Sequence, residues 1–204
     1  YGVNDWLTVH IGRSGFQETY DLAAKYRLYS QKENGFPVTI VGFNSVAINS
    51  ELKEEDYPNL KFENRLSYVA QVLISRKFSD KLSLEIAPSV FHENTLRDIL
   101  DENNAVILPN PQDNTQFAVG LGGRYKLTSR WSVNVDYAAH LNRASQSNYK
   151  NPLSIGVDLE TGGHVFQMHF TNAQAMHETG YLGQTVGDWS KGEIAFGFNL
   201  VRVF

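Results

Sequence analysis

The sequence predicts an all-β fold: a transmembrane, antiparallel, up-and-down β-barrel with about ten strands in this chain. Three observations lead to this class. Large apolar residues recur at every second position of successive segments, charged and small residues occupy the positions between them, and short turns alternate with long loops. Because side chains alternate between the two faces of a strand, each segment has one apolar face and one polar face.

The segment "GEIAFGFNLVRVF" at the end of the sequence shows this alternation. Phe196, Phe198 and Leu200 share one parity, whereas Gly197 and Asn199 share the other. Such a segment is a strand, but one strand does not decide which face meets water. In a soluble sandwich the large face would point inward, and in a membrane barrel it would point outward.

The connections between the segments favour the membrane barrel. We predict strands at residues 6–13, 18–31, 37–49, 61–78, 82–92, 116–127, 131–142, 153–160, 163–172 and 191–204. The turns "VND", "KENGF", "SDK", "TSR" and "TGG" are short, whereas most of the gaps at 14–17, 50–60, 93–115, 143–152 and 173–190 are long. Short turns on one side of a bilayer and long loops on the other give this alternation. A Greek-key sandwich has no reason to sort its loops in this way.

The two parities of the strands predict opposite surroundings. The apolar parity carries hardly any charge and is predicted to face lipid, although segment 37–49 does not sort cleanly and its facing stays unassigned. The other parity mixes acidic and basic residues and is predicted to line the lumen with a polar network. Its members are Asp21, Lys25, Arg27, Glu85, Arg124, Lys126, Asp136, His140, Asp158, His169 and Glu193. A lone charge in a low dielectric costs several kcal/mol, so mixed charges indicate a hydrated lumen or internal ion pairs.

The short turns resemble one another and predict an aromatic girdle. In "YGVNDWLTVHIG", "RKFSDKLSLEIAP" and "RYKLTSRWSVNVDYA", an aromatic residue precedes a polar turn, and a Leu or Trp opens the next strand. Aromatic residues at one level mark a membrane interface. The predicted girdle consists of Tyr1, Trp6, Phe78, Tyr125, Trp131 and Phe204.

Composition excludes several other classes of protein. With 204 residues, 42% hydrophobic, 20% charged and a mean hydropathy of -0.34, the chain is neither disordered nor a helical membrane protein. The absence of cysteine excludes disulfides, thiol catalysis and cysteine-ligated metals. A net charge of -4 gives no sign of nucleic-acid binding. We expect no cofactor and no metal.

Several segments together resemble a known family. "GRYKLTSRWSVNVDY", "ETGGHVFQ" and the closing "GFN-x-x-RVF" look like a Bacteroidetes-type outer-membrane β-barrel family of undefined function, and the resemblance spans nearly the whole chain. It implies a single barrel domain over 1–204, located in the bacterial outer membrane and in contact with its lipid. It also implies a signal peptide and another strand pair before "YG", hence about twelve strands in the full protein. The terminal Phe204 would be recognised by the barrel-assembly machinery.

Four functions remain open at this point. A narrow passage would use the charged lumen for transport, and a structural or interaction subunit would bind other envelope proteins through its loops or outer wall. A soluble lipocalin-like barrel would instead turn its apolar faces inward around an apolar ligand. A barrel-borne lipid-modifying enzyme would need a histidine that activates a hydroxyl.

The candidate pairs for such an enzyme are His140 with Ser145 and His169 with Thr171. Neither pair has a third orienting group at recognisable spacing, and the family resemblance supplies no catalytic residue. We therefore expect a non-enzymatic protein.

Overall fold

The fold is a single antiparallel sheet of ten strands that follow one another along the chain. The computed structural model describes residues 1–55, 57, 59–96, 98–100, 106–108 and 110–202. The strands of this sheet are β1 (Leu7–Arg13), β2 (Tyr20–Tyr29), β3 (Thr39–Ile48), β4 (Leu66–Lys77), β5 (Leu82–Glu93), β8 (Thr115–Lys126), β9 (Trp131–His140), β10 (Leu153–Thr161), β11 (His164–Thr171) and β12 (Ala195–Arg202). Strands β6 (Ile99–Leu100) and β7 (Val106–Leu108) form a separate pair between β5 and β8.

Each strand of the large sheet pairs with its neighbours in the sequence, so the predicted up-and-down order of ten strands is confirmed. The predicted strand ends need correction where a tight helical turn precedes the strand. Segment 61–78 becomes a strand only at Leu66, because Phe62–Arg65 forms a 3-10 turn. Segment 191–204 begins its strand at Ala195, after the 3-10 turn Trp189–Lys191.

The alternation of short and long connections is also confirmed. Residues 30–38, 78–81, 127–130 and 162–163 connect strands at one end of the sheet, which we call the short-turn end. Residues 14–19, 49–65, 94–114, 141–152 and 172–194 connect them at the other end, the long-loop end. The loop 172–194 contains a short helix, α1 (Glu178–Gly183), where the sequence pattern predicts only a loop.

The apolar face of the sheet points outward. Leu121 pairs with Ile86 and with Tyr137 on the same face, and its side chain is 49% exposed. Val135 in the next strand is 43% exposed. The alternate residues of these two strands point inward, where Ala118 and Ala138 are buried. This arrangement is the reverse of a soluble barrel around an apolar ligand, in which large apolar side chains fill the interior.

The pairing of strand β3 with its neighbours shows why its facing could not be assigned from the sequence. Its register with β2 and β4 places Gly42 and Asn44 on the outer face and Phe43 and Ala47 on the inner face. The strand therefore carries an aromatic residue inward and a polar residue outward. These two positions reverse the usual alternation, as Phe91 and His92 do in β5, where the phenyl ring faces inward and the imidazole outward.

Aromatic side chains form two rings on the outer surface. At the short-turn end, Trp6, Phe78, Tyr125 and Trp131 are exposed, as is Tyr1. A second, unpredicted ring lies at the long-loop end and consists of Tyr20, Tyr68, Phe117, Phe170 and Phe196. Phe204 lies outside the described residues.

The distance between these rings fits a bilayer. Tyr68 and Phe78 lie ten positions apart along β4 and its continuation. At about 3.4 Å per residue and a tilt of about 40°, that separation is roughly 26 Å along the membrane normal, close to the apolar band of a membrane barrel.

The two ends of the sheet are unpaired edges. Strand β1 pairs only with β2 and β12 only with β11, so within the described residues the sheet does not close on itself. No helix in the described part of the chain is long and apolar enough to cross a membrane.

The outward facing of the apolar parity gives a direct test on β9. Val135→Arg places a charge on the lipid-facing surface at mid-height, and we expect it to lower the free energy of unfolding by about 2–4 kcal/mol. Asn134→Arg, one residue earlier on the inner face, is the matched control and should cost much less, because its charge meets the polar interior. Urea titration of protein refolded into lipid vesicles measures both. Equal losses would contradict the assignment of faces.

Candidate functional site: an occluded lumen

The inner face of the sheet collects the predicted polar residues. The register places on this face Asp21, Lys25 and Arg27 of β2, Glu85 of β5, Arg124 and Lys126 of β8, Asp136 and His140 of β9, Asp158 of β10 and His169 of β11. Glu193 is different. It precedes β12 and accepts a hydrogen bond from the Asp188 backbone amide (3.0 Å), so it belongs to the loop and not to the wall.

Glycines give two of these polar side chains their positions. The imidazole of His169 lies directly over Gly197 in β12, where any Cβ would overlap the ring. The carboxylate of Asp21 covers Gly12 in the same way and pairs with His10 at 3.3 Å. A missing side chain on one strand thus leaves the space that a large polar side chain on the next strand occupies.

An ion-pair network lies on the wall near the short-turn end. The Arg124 guanidinium contacts Glu160 at 2.5 Å and Asp158 at 3.7 Å, and its Nε also donates to the Ser132 hydroxyl at 3.0 Å. Gln167 donates to the other oxygen of Asp158 at 3.3 Å. The network runs along neighbouring strands, from β8 to β11, and does not cross the lumen.

A second network covers the wall near the long-loop end. The amide of Gln116 donates to the buried carboxylate of Glu93 at 2.9 Å, and its oxygen lies 2.8 Å from Nε2 of His140. The ring of Phe91 meets His140 edge-on, with centroids 5.5 Å apart. These residues again belong to adjacent strands, β5, β8 and β9.

Helix α1 lies inside the lumen at the long-loop end and closes it. We call residues 173–190 the plug. Leu182, only 2% exposed, packs in a small apolar cluster whose other buried members are Val69, Phe91, Ala118 and Ala138, and Tyr181 packs against the same cluster. These wall residues belong to β4, β5, β8 and β9. The plug therefore fills the interior that the small wall side chains leave open.

Polar contacts hold the plug to the wall. The hydroxyls of Thr179 and Ser67 lie 3.1 Å apart, and the phenol of Tyr181 donates to Asp136. Gln184 donates to Glu93.

Neighbouring loops hold the plug as well. Gln184 accepts from Gln17 of the first long loop at 2.5 Å. Arg143 donates to the carbonyl of Gly183 at 3.3 Å. The plug is thus connected both to the strands and to the loops around the mouth.

Burial shifts the pKa values of three ionisable groups of the plug, His177, Glu178 and Tyr181. Burial lowers the pKa of the His177 imidazole, and its Nδ1 is buried without a hydrogen-bond partner in the described structure. Burial raises the pKa of the Glu178 carboxyl and that of the Tyr181 phenol. In each case the environment favours the uncharged form. Because these three groups are buried in their uncharged forms, the plug avoids the cost of burying unpaired charge.

Little space is left between the plug and strands β4 and β5. A polar cavity of about 20 Å³ lies beside it, between residues such as Gln17, Asn49, Ser67, Glu93 and Thr179. This volume suits a single water molecule. The plug therefore fills the long-loop mouth where it faces β4 and β5, and a wider depression of about 460 Å³ lies between the start of the plug at Gln174 and the first long loop at Gly15 and Phe16.

The sequence contained a signal for the plug that was missed. The segment 173–190 has only Glu178 and Asp188 as formal charges, whereas the loop 50–60 has five charged residues in eleven. A long loop with so few charges is suited to burial. The burial of this loop could be predicted in this way, but the strands against which it packs could not.

The two candidate catalytic pairs are not brought together. His140 is buried and bonded to Gln116, whereas Ser145 is exposed in a loop. Thr171 bonds to Ser154 at 2.8 Å, and His169 lies over Gly197. No group of three or more potential metal ligands occurs among His, Cys, Asp and Glu of the described residues.

Comparison with known proteins agrees with this geometry. A family model described as "Membrane bound beta barrel domain (DUF5777)" matches residues 1–204. The chain belongs to this family. As the description states, its members are membrane-bound β-barrels, and the family's function is undefined. The resemblance to a β-barrel family of undefined function is thereby confirmed.

One solved structure supports the fold of this family member. The structure, titled "NanC porin structure in rhombohedral crystal form", is similar with a TM-score of 0.57 and 9% sequence identity, over 91% of this chain and 79% of that chain. At this identity the likeness shows the fold alone. No curated protein matches the chain.

The ion-pair network predicts a stability effect at Arg124. Arg124→Ala leaves the buried Asp158 carboxylate without its cation, and because the arginine is 38% exposed we expect a loss of about 1–3 kcal/mol, not the larger loss of a fully buried pair. Lys77→Ala, which removes an exposed ion pair with Asp80, is the control and should leave stability unchanged. Unfolding in urea compares them, and an unchanged midpoint for Arg124→Ala would mean that water already screens the network.

Proposed function

We propose that this family member is a non-enzymatic barrel of the bacterial outer membrane whose lumen is a narrow passage for small polar solutes. In the structure described here the passage is closed by the plug. Retraction of the plug from the long-loop mouth opens it.

The observation that carries this proposal is that the plug connects strands lying three apart in the sheet, which the wall's own side chains do not do in the described part of the chain. On the wall, hydrogen bonds and ion pairs join strands that are adjacent or next-adjacent, as from Arg124 to Glu160. The plug joins more distant parts: Thr179 reaches Ser67 on β4, whereas Tyr181 reaches Asp136 on β9. If the side chains of the wall sealed the lumen permanently, no separate segment such as the plug would be needed to fill it.

The chemistry of the wall favours polar solutes. Lys25 and Arg27 of β2 face the interior, and Glu85 and Asp158 face it from β5 and β10. Acidic and basic side chains are mixed on this wall, because Asp21 shares β2 with Lys25 and Arg27, and Arg124 of β8 pairs with Asp158 of β10. Both signs of charge attract water and polar molecules and exclude apolar ones.

The outer surface supports the proposed location. An apolar belt between two aromatic rings is what a bilayer requires, and in bacteria such barrels occupy the outer membrane. We include outer-membrane lipid as a partner and the barrel-assembly machinery as the agent of insertion, with Trp6, Phe78, Tyr125 and Trp131 at one interface.

A second candidate function is a structural or interaction subunit of an envelope complex. It is favoured by the number of contacts that seat the plug, which include Gln184 with both Glu93 and Gln17. A plug that never leaves would make the barrel a scaffold whose long loops bind other envelope proteins.

A reversible tether distinguishes the two functions. The chain has no cysteine, so Ser67→Cys with Thr179→Cys introduces one thiol pair where the native hydroxyls lie 3.1 Å apart. We expect single-channel openings from wild type and from the reduced variant in planar bilayers. Oxidation should abolish the openings of the variant, and a reductant should restore them.

The control places the same bond within the wall. Gln71→Cys with Ser89→Cys joins directly opposed residues of β4 and β5 without touching the plug, so its conductance should not depend on oxidation. A wild-type protein that neither conducts nor admits small polar solutes into liposomes would contradict the passage and favour the scaffold. Equal conductance of the oxidised and reduced tether would exclude the plug as the gate.

A further inference from the structure

The outer wall contains one polar residue at mid-height that does not fit its surroundings. On the described strands, the outward positions between the two aromatic rings hold apolar, aromatic and glycine residues, apart from Asn44 of β3 and Arg76 of β4. Arg76 lies next to the short-turn ring, where its guanidinium covers the Phe78 ring. Asn44 lies four residues from Ile48 at the long-loop end of β3 and five from Thr39 at the other end. Its carboxamide is therefore placed near the middle of the apolar belt.

The carboxamide of Asn44 is only half satisfied by its own barrel. The phenol of Tyr26 donates to Oδ1 at 2.9 Å, and its ring lies over Gly42. Among the described residues, no acceptor receives a hydrogen bond from Nδ2 of Asn44. Hydrocarbon offers no acceptor, so each unsatisfied donor costs free energy that a partner in the membrane would recover.

The neighbours of Asn44 allow another backbone to come close. Directly opposite it on the outer face are Ala24 of β2 and Ala70 of β4, whereas Gly42, the next outward residue of its own strand, is already covered by the Tyr26 ring. Small residues around a polar one leave a shallow depression with a hydrogen-bonding group at its centre. Larger apolar side chains, including Leu22, Tyr68 and Val72, are exposed around it.

We propose that this patch is the interface of a homodimer within the membrane, in which Asn44 of one copy pairs with Asn44 of the other. A carboxamide is self-complementary, because its N–H groups donate to an identical oxygen while its own oxygen accepts in return. Oδ1 has a second lone pair beside the one that Tyr26 uses. A two-fold axis through the patch brings both groups together, as such axes do in most homodimers.

The choice of a second copy follows from this self-complementarity. Between membrane-spanning helices, asparagine side chains hydrogen-bond across the interface, and small residues beside them permit close packing. Asn44 with Ala24 and Ala70 offers the same groups on a barrel wall. The inference goes beyond the proposed function, because it depends on the outer wall alone and holds whether or not the lumen conducts.

The first test compares two asparagine variants by their mass in solution. We expect the wild type to be a dimer in mild detergent and in lipid nanodiscs, by light scattering coupled to size exclusion. Asn44→Ala should weaken the dimer by about tenfold, since two hydrogen bonds are lost. Asn134→Ala on the inner face of β9 is the matched control and should dimerise as wild type does. Heat-dependent mobility on SDS gels establishes that each variant is folded.

The second test locates the interface. Val46→Cys, the outward position next to Asn44, should cross-link to a second copy under oxidation in membranes, whereas Val135→Cys on β9 should not. A monomeric wild type without cross-links overturns the proposal, and so does a dimer that Asn44→Ala leaves unchanged. A stoichiometric complex with a different protein at Val46 also overturns it, because the partner is then not a second copy.

Discussion

Backbone hydrogen bonding in a solvent without water is the constraint on which this structure depends. Each N–H and C=O inside hydrocarbon must find a partner within the protein, and a meander of antiparallel strands pairs them with the fewest crossings. The constraint accounts for the long, regular registers from β1 to β12. It also means that the free edges of β1 and β12 need partners in the membrane, either each other or further strands. A strand pair preceding Tyr1, implied by the family resemblance, would provide them and stays a prediction.

The plug accounts for the size of the inner side chains. Near the long-loop end the wall turns small residues inward, among them Ala47, Ala118 and Ala138, and the plug occupies that space. Near the short-turn end no helix is present, and the inner residues are long and polar, such as Arg124 and Glu160. The inner wall therefore changes along its length because its filling changes from a separate segment to its own side chains.

The sheet could be predicted from the sequence because strand facing is a local property. Alternation of Phe196, Gly197 and Phe198 reports the two environments of a strand directly, whatever the rest of the chain does. Strand β3 does not follow this alternation at Phe43 and Asn44, because an aromatic residue faces the interior and a polar residue faces outward. Its facing came only from pairing with strands on both sides.

The site was harder to predict because its contacts join distant parts of the chain. The hydrogen bond between Gln17 and Gln184 joins residues 167 positions apart, and the sequence near either residue does not predict it. Helix α1 has six residues, too few for a periodic pattern to reveal. Glu193 was placed in the lumen by extending the parity of β12 backwards, but the strand begins only at Ala195 and the rule fails outside it.

In the proposed passage, the burial of apolar side chains and the hydration of polar ones together set how firmly the plug closes the lumen. Withdrawal of the plug would break the bonds of Glu93 and Asp136 to Gln184 and Tyr181, and entering water would replace them at small net cost. Leu182 has no such replacement, because exposing a buried leucine costs about 1.5–3 kcal/mol. A free-energy difference of that size would leave the proposed open form populated at roughly 0.6–7%, within reach of a ligand that binds it preferentially. The apolar contacts of Leu182 and Tyr181 with the wall would thus favour the closed form of the proposed passage.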